Sequence, residues 1–220
     1  FPDHPDGSIN YQRVAALRAL TSNFTVISGG PGTGKTSTVA KILAILLENA
    51  ESEIAIVLAA PTGKAAARMK ESIDQALSSS GMLSDLPDAV KSKFPKEAST
   101  IHRLLGPLPA SPKFRHNFEN PLRCDIVVID ESSMVDLALM AKLFEAIPIN
   151  TKVILLGDRD QLASVEAGSV LGDICGSHKD QSGFSDAFVS LVERICGYSL
   201  PMHTNAHPLR DAVIFLNKSY

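Results

Sequence analysis

A glycine-rich run near the beginning of the chain has the residue types and the spacing of a phosphate-binding loop. Residues 29–36 read Gly-Gly-Pro-Gly-Thr-Gly-Lys-Thr, which matches the pattern G-x-x-x-x-G-K-[ST]. Glycines let backbone N–H groups converge on phosphate oxygens, and the N-terminus of a following helix favours negative charge. The alternative is a glycine-rich turn without a ligand. We expect phosphate contacts from Gly29, Gly30, Pro31, Gly32, Thr33, Gly34, Lys35, Thr36 and Ser37.

Four side chains have the chemistry that phosphoryl transfer needs. The Lys35 ammonium would reach the β- and γ-phosphates of a nucleoside triphosphate, and the Thr36 hydroxyl would bind Mg²⁺. Asp130 and Glu131 follow the apolar run 126–129, which places them at the carboxyl edge of a parallel sheet, where ligands bind. Asp130 would hold Mg²⁺ through water, and Glu131 would act as the general base. The alternative is an ordinary acidic exit from a strand.

A third polar segment, residues 157–161, follows another apolar run and ends in Gln161. Because an amide can donate to phosphate and accept from water, Gln161 is the candidate for detecting the γ-phosphate. A charged surface turn is the alternative. No guanine-reading N-K-x-D segment follows, so we expect ATP with Mg²⁺ as the cofactors, and Gln12 is the candidate for reading adenine. The predicted catalytic residues are therefore Lys35, Glu131 and Gln161.

Four short apolar runs are predicted to be the strands that position these side chains. They are nearly continuous rather than alternating, which is typical of parallel strands covered on both faces. Apolar residues at helical spacing predict helices between the strands and a further helix near the end. The predicted strands are 24–28, 54–59, 125–129 and 152–156, and the predicted helices are 11–20, 36–47, 64–77, 137–147 and 185–195. This order indicates one α/β domain, a doubly wound and mostly parallel sheet with helices on both faces.

Three segments fit this alternation poorly. Residues 78–99 are interpreted as an insertion with weak helical content. Residues 106–121 contain four prolines and are interpreted as a surface loop, as are residues 176–183. All three are predicted to be insertions or loops of a single domain over residues 1–220.

Composition narrows the classes of function. The net charge of −3 argues against a broad basic face that coats duplex DNA. No apolar run approaches the ~20 residues of a membrane-spanning helix, so we expect no membrane partner. The three cysteines are odd in number and lack metal-ligand spacing, which favours reduced thiols and a cytoplasmic location. The sequence has no acidic cluster beyond Asp130 and Glu131 that would hold a catalytic metal pair on DNA, so we do not expect nuclease chemistry.

The motifs, taken together and in order, resemble those of a known family. Besides the glycine-rich run they are residues 10–15, 60–69, 100–106, 130–134, 157–168 and 216–220. With them the chain resembles the superfamily 1 DNA helicases of the 5′-to-3′ branch, and within that branch the RecD family, the alpha subunits of exodeoxyribonuclease V. The resemblance spans nearly the whole chain and is weakest at 78–98 and 176–208.

The resemblance implies roles that spacing alone does not. The fold would be a RecA-like P-loop lobe, Gln12 would read adenine, and Gln161 would couple the state of the γ-phosphate to DNA. Single-stranded DNA would lie along residues Pro61, Thr62, Lys64, Thr100 and His102. From the residues alone, a solvated helix start for Lys64 and a buried imidazole for His102 stay open. The implied partners are single-stranded DNA and the beta and gamma chains of the helicase–nuclease complex.

The implied function is that of an ATP-dependent 5′-to-3′ DNA helicase subunit in recombination and repair. The closing run 216–220 matches only the start of a longer family segment, and the family's second motor lobe and amino-terminal domain are not among these residues. We therefore expect these 220 residues alone to hydrolyse ATP slowly or not at all. Two alternatives are an ATPase that acts on protein partners and a non-catalytic nucleotide-binding module.

Overall fold

A six-stranded parallel sheet forms the centre of the molecule. The computed structural model describes residues 1–2, 4, 6–161, 170–176, 183–203 and 209–218. The strands are β1 (Phe24–Gly29), β2 (Ile56–Ala60), β3 (Ser99–Thr100), β4 (Ile126–Ile129), β5 (Lys152–Gly157) and β6 (Val213–Leu216). Their order across the sheet is β3-β2-β4-β5-β1-β6, and every pair is parallel.

Helices cover both faces of this sheet. They are α1 (Tyr11–Thr21), α2 (Lys35–Glu48), α3 (Gly63–Leu77), α4 (Asp88–Lys91), α5 (Ile101–Leu105), α6 (Leu137–Ala146), α7 (Val170–Cys175) and α8 (Asp186–Cys196). Two 3₁₀ turns, Ser132–Met134 and Arg210–Ala212, complete the secondary structure of the described residues. Among those residues, no helix has the length and apolar character needed to cross a membrane.

Two apolar cores explain why the strands are continuously apolar. One core packs β-strand side chains against α1, α2, α3 and α8, and the other packs them against α5, α6 and α7. Neighbouring residues of one strand enter opposite cores, as Ile27 and Val26 of β1 do. Both faces of the central strands are therefore buried, which requires apolar residues at successive positions. The three cysteines, Cys124, Cys175 and Cys196, are buried thiols.

The predicted doubly wound sheet is confirmed, and the four predicted strands and five predicted helices are all present. The start of β2 was placed too early, at residue 54. Here the Ala55 N–H donates to a side-chain oxygen of Asp125 at 2.8 Å instead of joining the ladder. Strands β3 and β6 were missed, because two polar residues at 99–100 have no strand pattern and 213–216 is a short apolar run at the sheet edge.

The poorly fitting segments are irregular where the structure describes them. Residues 78–99 contain only the one-turn helix α4 before β3. Residues 106–121 contain neither helix nor regular strand, and backbone bonds from Arg115 to Gly106 (2.8 Å) and from His116 to Leu105 (3.0 Å) fold this loop back onto α5. Of the third segment, residues 177–182 lie outside the described residues.

The buried core allows a prediction of how much stability is lost when a core side chain is truncated. Leu43 of α2 is fully buried, whereas Leu137 of α6 is 61% exposed. We expect Leu43→Ala to lower the free energy of unfolding by about 3 kcal/mol, because it removes buried methyl groups and leaves a cavity. Leu137→Ala, the matched control in another helix, should change it by about 0.5 kcal/mol or less. Urea-induced unfolding measures both, and equal losses would contradict the assigned core.

Candidate nucleotide-binding site

The site lies where three neighbouring strands end. Strands β4, β5 and β1 are adjacent, and the register pairs Ile129 with Leu155 and Ser28 with Gly157. The three loops that follow these strands therefore leave the sheet side by side at its carboxyl edge, where parallel α/β sheets bind ligands. They carry the glycine-rich run, the acidic pair and the segment that ends in Gln161.

Close packing fixes the shape of the glycine-rich loop. A Cβ on Gly29 would lie 2.7 Å from the Thr33 hydroxyl and 2.9 Å from the Leu216 carbonyl oxygen, so only glycine fits there. The Thr33 hydroxyl donates to the carbonyl of Gly30 at 2.8 Å. Gly34 has φ +79°, which favours glycine, and α2 begins at the next residue. The loop is thus preshaped, with a helix N-terminus at its end.

Gln12 contacts this loop from α1. Its Nε2 amide donates to the Thr33 carbonyl at 3.1 Å, and a Cβ on Gly34 would lie 2.5 Å from that nitrogen. Asn10 fixes the start of the helix, because its side chain accepts from the backbone N–H groups of Gln12 and Arg13. A mostly apolar pocket of about 180 Å³ lies beside Gln12. The residue proposed from sequence to read adenine therefore adjoins the loop.

Lys35 binds to its own loop. Its ammonium donates to the carbonyl oxygens of Gly29 at 2.5 Å and Gly30 at 3.1 Å. Burial lowers the pKa of Lys35, and the carboxylates of Asp130, Asp158 and Glu131 oppose that shift, in decreasing order. The ammonium is thus a half-buried cation that faces three acidic groups.

The acidic pair has two unlike environments. Burial raises the pKa of Asp130. Two weaker effects lower it: the Asp130 Oδ1 accepts a hydrogen bond from the Glu131 N–H at 2.8 Å, and the Lys35 ammonium attracts the carboxylate. Glu131 has φ +49°, a left-handed conformation that non-glycine residues rarely adopt and that costs about 1–3 kcal/mol. Such strained positions cluster at functional sites, and this one lies at the turn that aims the Glu131 carboxylate.

A cleft of about 400 Å³ brings the predicted catalytic and metal-binding residues together. Its lining includes Lys35, Thr36, Asp130, Glu131 and Gln161. Pro31 of the glycine-rich run also lines it. A larger cavity of about 550 Å³, lined by residues 32–37 and by parts of 72–82, adjoins this cleft and shares Lys35, Thr36 and Ser72 with it. Ser37 lines that second cavity, and its hydroxyl donates to the Gly34 carbonyl at 2.8 Å.

Five further residues line the cleft that were not predicted as site residues, and three of them are polar. Arg68 and Ser72 of α3 and Asp158 after β5 line the same space as Lys35. The signal for the first two was the spacing: residues 64, 68 and 72 repeat every four positions, so they share one face of α3. Within the described part of the chain, the Arg68 side chain makes no hydrogen bond or ion pair.

The residues predicted to contact DNA lie together, apart from the cleft. The register pairs Ala60 with Thr100, so the turns after β2 and β3 are neighbours. The Thr62 hydroxyl accepts from the Ala65 N–H and caps α3, and the Thr100 hydroxyl caps α5 in the same way. Both hydroxyls keep a hydrogen to donate.

The cationic members of this group are accessible. Lys64, at the start of α3, and His102, on α5, are both exposed. The alternative of a buried imidazole for His102 is therefore wrong, and its ring instead makes an edge contact with Phe114 at 5.9 Å between centroids. Pro61 is partly buried between β2 and α3.

Comparison with known protein families agrees with this geometry. The profile described as "AAA domain" matches residues 12–167, which begin in α1 and include strands β1 to β5. The chain belongs to this AAA domain family. The match covers well over half of the chain and includes every residue that lines the 400 Å³ cleft.

Characterised relatives share more of the chain. It is 41% identical over 219 residues to the RecBCD enzyme subunit RecD of Haemophilus influenzae, which covers 100% of this chain and 34% of that protein. It is 49% identical over 170 residues to RecD of Mycolicibacterium smegmatis, covering 74% and 29%. The ATP-dependent RecD2 DNA helicase of Deinococcus radiodurans is 42% identical over 161 residues, covering 73% and 19%. The resemblance to RecD is confirmed, and the chain spans about a third of the length of such relatives.

The chain also resembles a solved structure of two coordinating Pif1 helicases that unwind forked DNA. The superposition covers 97% of this chain and 44% of the Pif1 chain. The TM-score of that overlap is 0.46, at 17% sequence identity.

The raised pKa of Asp130 predicts a pH-dependent stability. The folded chain holds the Asp130 proton more tightly than the unfolded chain, so stability falls as pH rises from the ordinary value of 3.8 through the raised pKa. Asp130→Asn removes that loss and can still accept from the Glu131 N–H. With EDTA at neutral pH, we expect the variant to have a higher free energy of unfolding than the parent. This difference in free energy should disappear as pH falls toward 3.8.

Urea unfolding across a pH series measures this effect. Asp173→Asn, at an exposed position on α7, is the matched control and should show no such difference. A lower stability of Asp130→Asn at neutral pH would mean that attraction to Lys35 outweighs the desolvation of Asp130.

Proposed function

We propose that this chain is the ATP-binding motor lobe of a 5′-to-3′ DNA helicase, the alpha subunit of a recombination-repair helicase–nuclease of the exodeoxyribonuclease V type. The observation that carries the proposal is the convergence of Lys35, Thr36, Asp130, Glu131 and Gln161 on one cleft. Identity of 41% to a RecD subunit over the whole chain supports the assignment. The proposed partners are single-stranded DNA and the beta and gamma chains of that complex.

The phosphates of ATP would bind along residues 29–37. Backbone N–H groups of the preshaped loop and the N-terminus of α2 favour the negative charge. Lys35 would exchange the carbonyl oxygens of Gly29 and Gly30 for β- and γ-phosphate oxygens, which are stronger acceptors because they are charged. The Oε1 atom of Gln12 would accept from the adenine amino group while Nε2 stays on the Thr33 carbonyl.

The residues of the cleft fit Mg²⁺. The Thr36 hydroxyl would be a direct oxygen ligand and the Asp130 carboxylate would hold the ion through water, and both residues line the cleft beside Lys35. Bound Mg²⁺ would neutralise charge on the β- and γ-phosphates. A dication bound there would also favour the charged form of Asp130, which burial alone disfavours.

Glu131 and Gln161 would act on the water and on the γ-phosphate. Glu131 would take the proton of the attacking water, since its carboxylate lines the cleft and Asp130 beside it is assigned to Mg²⁺. Gln161 would hydrogen-bond to the γ-phosphate and respond when it leaves. Positioning and charge stabilisation account for most catalysis of this kind.

Helix α3 links this cleft to the proposed DNA surface. Thr62 and Lys64 lie at its beginning, and Arg68 and Ser72 line the nucleotide cleft one and two turns further on. A helix moves as a rigid body, so a shift that follows phosphate release at Arg68 would move Lys64 along the strand. Residues Pro61, Thr62, Lys64, Thr100 and His102 would contact the DNA backbone, where cations and hydroxyls bind phosphate.

Loss of the general base gives the first test. In the full-length encoded protein, Glu131→Gln should lower kcat for ATP hydrolysis by about 10²-fold or more while leaving ATP binding intact. Lys35→Ala should abolish nucleotide binding. ATP turnover with and without single-stranded DNA measures kcat, and equilibrium binding of a fluorescent ATP analogue measures nucleotide affinity. Glu145→Gln, at an exposed position on α6, is the matched control and should behave as the parent.

The response to DNA separates the proposed function from its main alternative. Strong stimulation of turnover by single-stranded DNA is the expected result. Turnover that is indifferent to DNA would remove the helicase proposal and would point to an ATPase with protein partners.

Loss of a phosphate contact gives the second test. Lys64→Ala should weaken single-stranded DNA binding at every sequence and reduce the salt slope of log K by about 0.7, the value for one lost contact. Fluorescence anisotropy over a salt series measures this slope. Lys142→Ala, on α6 and paired with Glu145, is the matched control. An unchanged slope for Lys64→Ala would exclude Lys64 from the DNA surface.

A further inference from the structure

Two buried serines follow the candidate general base. Ser132 and Ser133 begin the 3₁₀ turn Ser132–Met134 directly after Glu131, and they are 0% and 3% exposed. Gly157, at the end of β5, lets this turn approach closely, since a Cβ there would lie 3.0 Å from the Ser132 hydroxyl oxygen and 3.2 Å from the Ser133 nitrogen. The turn is therefore packed against the strand whose following loop carries Gln161.

The two hydroxyls bond to different parts of that neighbouring segment. Ser132 Oγ donates to the carbonyl oxygen of Leu156 in β5 at 2.7 Å, a bond between buried groups. Ser133 Oγ donates to the side-chain Oε1 of Gln161 at 3.2 Å. The first bond joins turn to strand, and only the second reaches a side chain of the nucleotide cleft.

We propose that Ser133 is a positioning residue that holds the Gln161 amide by its carbonyl oxygen, so that the Nε2 amide is the end offered to the γ-phosphate. The proposal rests on the function proposed above and assigns Gln161 as a donor to phosphate rather than an acceptor from water. A hydroxyl on a buried turn is a fixed donor, whereas Gln161 is exposed and has three rotatable side-chain bonds. The bond to Ser133 selects one of its many rotamers before nucleotide binds.

The hydrogen bond between Ser133 and Gln161 also links Gln161, which would contact the γ-phosphate, to Glu131, the candidate general base. Only Ser132 separates Ser133 from Glu131, whose backbone is left-handed at φ +49°. A change in the position of Gln161 when the γ-phosphate leaves is thereby passed to the turn that sets the direction of the Glu131 carboxylate. Ser133 thus connects the segment after β4 with the segment after β5 through side chains.

Double-mutant cycles in the full-length encoded protein test this role. With saturating single-stranded DNA, Ser133→Ala should lower kcat for ATP about fivefold to tenfold, the effect of one lost neutral hydrogen bond. KM for ATP should stay within about twofold, since binding on the phosphate loop is untouched. Adding Ser133→Ala to Gln161→Ala should cause no further loss, because the bond is already gone.

Ser132→Ala is the matched control. It removes an equally buried hydroxyl from the same turn, but its partner is the Leu156 carbonyl. Its effect on kcat should therefore persist in the Gln161→Ala background. Gln161→Glu tests the direction of the amide, because a carboxylate still accepts from Ser133 but cannot donate to phosphate. Its kcat should be as low as that of Gln161→Ala.

The outcomes separate this proposal from the function on which it rests. Additive losses for Ser133→Ala and Gln161→Ala would mean that Ser133 only stabilises the fold and would overturn the proposal, as would parent-like kcat for Gln161→Glu. In both cases ATP hydrolysis by the parent protein would leave the motor function standing. A parent protein that hydrolyses no ATP, with or without DNA, would instead remove the proposed function itself.

Discussion

Burial of the strands on both faces is the constraint on which the rest of the structure depends. Strands β4, β5 and β1 are covered on both faces, so charged residues lie only where these strands begin or end, and the polar residues buried within β1, Thr25 and Ser28, are uncharged. Parallel pairing then makes all three end at one edge. The Lys35 ammonium, the adjacent carboxylates of Asp130 and Glu131, and the Gln161 amide are collected there from three separate segments of the chain. The apolar sheet thus determines where charge can lie, and the loops determine which charges lie there.

Charge at this edge costs the protein stability. Burial disfavours the charged forms of both Lys35 and Asp130, and their mutual attraction only offsets part of that penalty. The left-handed backbone of Glu131 adds strain at the same place. The two buried cores on either side of the sheet supply the stability that keeps this arrangement in place. Functional sites with such local costs need a rigid surrounding, and here the strand ends provide it.

The sequence predicted the site correctly at positions where the structure requires one particular type of residue. Glycines at 29 and 34 and the acidic pair after a continuous apolar run predicted the loop, the edge and the residues that meet in the cleft. Arg68 and Ser133 were not predicted: the spacing on α3 shows which face Arg68 shares but not what that face packs against, and Ser133 joins the site only through the packing of the Ser132–Met134 turn. Edge strand β3 was missed for a similar reason: the register with β2, not the two residues themselves, makes it a strand.

The contacts of Lys35 within its own loop bear on how nucleotide is exchanged. The ammonium already has two carbonyl acceptors, at 2.5 and 3.1 Å, on residues 29 and 30. The phosphate oxygens of a triphosphate must therefore compete with these carbonyl oxygens for the Lys35 ammonium. The contribution of Lys35 to nucleotide affinity reflects only the difference between the two sets of acceptors. A diphosphate, with less charge to offer, competes less well. In the proposed ATPase cycle, the loop carbonyls would thus favour release of the diphosphate, since they would receive the ammonium as the product departs.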